Sequence, residues 1–133
     1  MHHTTHHHGF IALISVLIIG VLGISIVTSL LLLGVGSSKT SLASEQSAQA
    51  KALANACAEE ALQHIHDSTS YTGSDTLTLG QGTCAYTVTS QGGQNRTITS
   101  SGTVGTIIRK EKIIITGVNP AIQISSWQEV ADF

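Results

Sequence analysis

The chain has 133 residues, of which 41% are hydrophobic, 11% charged and only 4% aromatic, and its formal net charge is −2. That length gives room for one small domain. With six Lys and Arg in all and no basic cluster, the composition argues against nucleic acid as a partner.

Residues 1–9, MHHTTHHHG, form a short polar leader. Its five histidines, His2, His3, His6, His7 and His8, are mostly neutral at pH 7. They therefore encode membrane orientation weakly, and Lys39 on the far flank weighs mildly the other way. A cloning tag is the alternative reading of this interrupted run. The imidazoles are able to bind metal in the precursor, but no metal site or cofactor is expected in the chain that follows.

From Phe10 to Ser38 there is no charged residue, and Ile, Leu and Val dominate. Roughly 27 helical residues span ~40 Å, more than the ~30 Å hydrocarbon core of a bilayer. Each centrally placed Leu, Ile, Phe or Val contributes about −0.3 to −0.6 kcal/mol on insertion scales. About eighteen of them outweigh Ser15, Ser25, Thr28, Ser29 and the glycines. One membrane-inserting helix is expected over residues 10–36, loosening near Gly34, Gly36, Ser37 and Ser38. Gly20 and Gly23 would let the helix loosen or approach a neighbour closely.

Residues 37–67 are rich in Ala, Gln, Glu, Leu and Lys, all good helix formers. Leu42, Ala50, Leu53, Cys57, Ala61 and Ile65 fall on one stripe, with Glu45, Lys51, Glu59 and Glu60 largely off it. The helix is thus expected to continue in amphipathic form and to end near Asp67. A signal-peptidase site at Ala48-Gln49-Ala50 lies too far beyond the apolar run to be favoured.

Past Gly73 the period changes from helical to alternating. Residues 74–133 are expected to form an antiparallel sheet. Leu77 and Leu79 alternate with threonines, and Gly80-Gln81-Gly82 turns. Cys84, Tyr86 and Val88 then share one face. Gly92-Gly93-Gln94-Asn95 is a hairpin signal. Arg96–Val104 reads as a strand with Ile98 and Val104 on one side. After Gly105-Thr106 comes a strand over residues 107–116. Its charged centre, Arg109 to Lys112, predicts an exposed or edge position. Residues 121–130, with Trp127, form a last strand.

The fold class is therefore α+β: one long helix laid on a small antiparallel sheet. Cys57 on the helix stripe and Cys84 on the apolar face of the sheet point at the same interface, which favours a disulfide over two buried free thiols. In an exported domain, closing a loop of about 28 residues would contribute roughly 3–4 kcal/mol.

No nucleophile elbow, phosphate loop or paired-acid constellation is present, so no enzyme is expected. His64 and His66, two apart on a helix, face different directions. Asn95-Arg96-Thr97 is a glycosylation sequon on a turn.

The junction HHHGF, the apolar helix and its amphipathic continuation together resemble the processing site and layout of type IV prepilins. ANACAEEALQHI, GTCAYTV and ISSWQEV are similar to segments of minor pilins of the PilX type and pseudopilins. The resemblance implies cleavage between Gly9 and Phe10 by a prepilin peptidase, and methylation of Phe10. It implies assembly with other pilin subunits through Phe10, Ile14, Gly20 and Gly23. The precursor would sit in the cytoplasmic membrane with its head outside, and the mature subunit in a surface filament. Major pilins usually carry glutamate at the fifth mature position, where this chain has Ile14; that departure points to a minor or tip-like subunit. The alternative is a single-pass anchored extracytoplasmic binding module that does not polymerise.

Overall fold

The structure, a computed structural model, describes the backbone of residues 6–133 and side chains from Gly9 onward. The remainder of the leader, with His2 and His3 and the side chains of His6, His7 and His8, lies outside the described residues. The element order is α1 (His6–Asp67), β1 (Gly73–Leu79), β2 (Gly82–Ser90), β3 (Arg96–Val104), β4 (Ile107–Gly117) and β5 (Gln123–Val130). Two compact units result, one ending at Ser41 and the other spanning Leu42–Phe133.

In the first unit α1 is helical through Gly34, Gly36, Ser37 and Ser38, so the loosening expected there does not occur. The glycines are not destabilising enough to break a helix whose neighbours are all Leu, Val and Ser. Thr40 also bonds back to the Gly36 carbonyl at 3.1 Å.

The second unit is the head, an α+β arrangement in which the C-terminal half of α1 packs on a five-stranded antiparallel sheet. Strand order is β1-β2-β3-β4-β5, each strand beside its chain neighbours. Two of the connections are two-residue turns: Leu79 pairs with Gly82 and Val104 with Ile107. Gly80 and Gly105 have φ of 62° and 60°, backbone values that suit glycine at such turns.

The buried face of α1 comprises Ala50, Ala54, Cys57, Ala58, Ala61 and Ile65, all at 0% exposure. Leu42, expected on this stripe, is exposed; the sheet does not reach it. Small residues dominate because the sheet comes very close. Ser100 donates to the Ala54 carbonyl at 2.6 Å. A Cβ at Gly102 would collide with the Ala50 carbonyl and lie 2.6 Å from Ala54 N. Opposite the helix, Cys84, Tyr86, Val88, Ile98, Ile113 and Ile115 complete the core. The outward face is mixed: Thr87, Thr99 and Lys112 lie in one cross-strand row, and Ile108 and Ile114 of β4 are exposed on the same side.

The expectation that residues 107–116 lie exposed or at an edge is overturned. β4 is interior, between β3 and β5, and the edges are β1 and β5. Three of its four charges are answered by partners, while Lys112 is exposed on the outward face. Glu111 is buried and accepts from Trp127 Nε1 at 3.0 Å. With its nitrogen facing that carboxylate, the Asn55 amide donates to both Glu111 oxygens at 3.0 and 2.8 Å. Arg109 pairs with Glu129 at 3.0 Å, and Lys51 reaches Glu129 at 3.4 Å. Lys110 bonds Asp132 at 2.6 Å, which holds the Asp132 carboxyl below its ordinary value.

Candidate functional site

From Phe10 to Ser38 the first unit offers one chemical property, an apolar surface without charge. Over α1 an 18-residue window reaches a mean hydropathy of 3.0, and none of that window is buried within the chain. Phe10 is 65% exposed and Ile14 41%. At Gly9, Gly20 and Gly23 a Cβ would meet no atom within 4 Å, so the helix surface beside each is open. Among the described residues, nothing covers Gly9 or Phe10. Ile14 places a hydrocarbon where an acidic side chain would require a partner at membrane depth.

The polar side chains of this segment satisfy themselves. Ser15, Ser25, Thr28 and Ser29 donate to the carbonyls of Ile11, Val21, Ile24 and Ser25 at 2.8–2.9 Å. Each hydroxyl thus has its donor requirement met inside the helix, which suits a lipid environment where an unpaired donor is costly. By length and composition α1 is able to cross a membrane.

In the head, Cys57 and Cys84 are joined by a disulfide, with Cα atoms 6.0 Å apart. Both sulfurs lie in the helix–sheet core, where the two periodicities had put them. Next to Cys84 on the same face stands Tyr86, 2% exposed, its hydroxyl 3.3 Å from that of Tyr71. His64 stacks on Tyr71 with ring centroids 4.9 Å apart and lies 3.4 Å from Glu60. His66 instead faces Asp67 at 3.5 Å, so the structure does not bring the two histidines together. Among the described residues, no group of three His, Cys, Asp or Glu is placed to hold a metal.

Burial pushes the Tyr86 pKa well above the ordinary tyrosine value of 10.0, and the Tyr71 hydroxyl and the charges of Asp75 and Glu60 add to it. The fold therefore favours the neutral phenol. Its stabilisation is fully present below pH 10, where the unfolded chain is also neutral, and falls as pH rises past that value. Stability of the full chain in detergent, measured against urea at rising pH, is expected to decline above pH 10. Tyr86→Phe should flatten that decline; an equal decline in the variant would remove Tyr86 as its cause.

Two inward-facing charged residues escaped the sequence reading, Arg96 and Glu111, at 7% and 3% exposure. The signal was available in the strand period. Arg96 has the same parity as Ile98 and Val104, and Glu111 the same parity as Ile113 and Ile115.

No protein-family model, no curated protein and no solved structure matches this chain.

Proposed function

We propose that the chain is a structural subunit of a type IV pilus or related filament, minor or tip-like, processed between Gly9 and Phe10. The observation that carries this reading is the uncharged, wholly exposed run from Phe10 to Val35 in the same helix whose later turns form the core of a disulfide-bridged α+β head. A surface this apolar needs either lipid or other apolar helices around it. In the membrane, lipid meets that need in the precursor. In a filament, the corresponding helices of sibling subunits would meet it, through dispersion contacts and close approach at Gly20 and Gly23. Ile14 fits a subunit that enters such a bundle by packing alone.

The test is N-terminal mass analysis of protein made in cells with an active prepilin peptidase. A chain beginning at methylated Phe10, recovered with sheared surface fibres, is the expected result. An intact N-terminus in those cells, with all protein remaining in the membrane fraction, would replace this reading with that of an anchored binding module.

A further inference from the structure

From the charges at the two edges of the head we infer that copies of this chain dock side by side, Asp75 of one supplying a second carboxylate to the Lys51–Glu129–Arg109 cluster of the next. The inference rests on the filament reading for its partner, a neighbouring subunit. In the cluster two cations share one carboxylate: Glu129 lies 3.4 Å from Lys51 and 3.0 Å from Arg109. The Lys51 and Arg109 side chains are 51% and 41% exposed, so a further group is able to reach both from solvent. The cluster sits where α1 meets the β5 edge of the sheet, and it carries a positive charge in excess.

The opposite edge carries the reverse sign. Strands β1 and β2 hold no Lys or Arg, and Asp75 is exposed on β1. Its Oδ1 accepts from the Thr76 N–H at 2.7 Å, which orients the carboxylate. The sheet register sets the two edges level. Asp75 pairs with Tyr86, Tyr86 with Ser100, Ser100 with Glu111 and Glu111 with Glu129. Directly opposed residues share a face, so Asp75 and Glu129 stand on the helix side at the two ends of one row. β1 and β5 also run in the same direction, because each of the five strands is antiparallel to its neighbours. A copy shifted sideways without rotation therefore brings its Asp75 to the cluster. Exposed Leu79 on β1 and exposed Ile124 and Trp127 on β5 give the contact an apolar part. A twofold contact would set acidic edge against acidic edge, or cationic edge against cationic edge, and like charges disfavour it. The side-by-side contact is heterologous and open-ended, as a repeating assembly requires.

The experiment uses the full chain in vesicles of zwitterionic lipid. Unlabelled and 15N-labelled copies are mixed and treated with a carbodiimide, which joins a carboxylate directly to a lysine amine. Mixed-isotope peptides linking Asp75 to Lys51 are the expected result. Association is followed separately by energy transfer between copies carrying donor or acceptor dyes at an added thiol, Thr106→Cys in the exposed β3–β4 turn. Asp75→Asn should weaken that association about tenfold, the scale of one close interfacial charge pair. Asp75→Lys and Lys51→Glu combined in one chain should restore it, because the pair re-forms with its signs exchanged. Unchanged energy transfer in Asp75→Asn, or no recovery in a double variant still folded by near-ultraviolet circular dichroism, would overturn the contact. If the double variant does not fold, the mixed-isotope links in the parent chain decide. Links between copies at other carboxylates, with none at Asp75, would overturn the contact and leave the filament reading standing. The filament reading itself is tested on the N-terminus, so the two failures are told apart.

Discussion

Replacing Gly102 with alanine is expected to destabilise the head by about 2–3 kcal/mol, the upper part of the range for forcing extra volume into a packed interior. The position has no slack. A Cβ there would collide with the Ala50 carbonyl, lie 2.6 Å from Ala54 N and stand 3.0 Å from Leu53 Cβ. Two of those three atoms belong to the backbone of α1, so no rotamer change relieves the clash and the helix has to lift from β3. Lifting would also lengthen the Ser100 hydroxyl bond to the Ala54 carbonyl. Ser100→Ala is the control: it removes that one bond without adding volume and should cost about 1 kcal/mol. Urea unfolding of the full chain in detergent, followed by Trp127 fluorescence, measures both. Equal midpoints for Gly102→Ala and the parent would show that the helix is not held against β3 at this point.

The second large effect is expected from the disulfide. Substituting both Cys57 and Cys84 with alanine should lower stability by about 3–4 kcal/mol, since the bridge closes a loop with a sequence separation of 27. A head of this size has about 5–15 kcal/mol in total, so the loss is a large fraction of it. The bridge ties α1 to β2 within the core cluster that also holds Ala61, Ile65 and Tyr86. Reduction of the parent chain should lower the unfolding midpoint by a similar amount. A double variant as stable as the oxidised parent would mean that helix and sheet are held by packing alone.

Much of this architecture was legible because the sequence changes period sharply. Three- and four-residue spacing carries α1 to Asp67, and alternation of Thr with Leu, Val and Ile then marks each strand. Cys57 and Cys84 were legible together because each follows its own period to the same face. What was not legible depends on partners remote in sequence. The charges of β4 read as an edge signal until Glu129 and Asp132 of the C-terminal segment are set beside Arg109 and Lys110. Glu111 reads as exposed until Asn55 and Trp127 meet its carboxylate. Ala54 and Ala58 escaped the stripe because each adjoins a residue already on it, Leu53 and Cys57, and the buried face is wider than that single line. They are buried because Ser100 and Gly102 bring the sheet almost onto the helix backbone. Arg96 was hidden in the same way, since its acceptors lie on Thr69 and the β2–β3 loop. The leader junction is the opposite case: it is legible from local sequence alone.

The order of the bridged residues along the chain has a consequence for how the head matures. Both cysteines precede β3, and β2 needs only its hairpin with β1 to present Cys84 to the helix. Oxidation is therefore able to lock α1 to the first hairpin while the later strands are still unmade. β3, β4 and β5 would then add one after another to an already anchored template, each beside the strand just laid down.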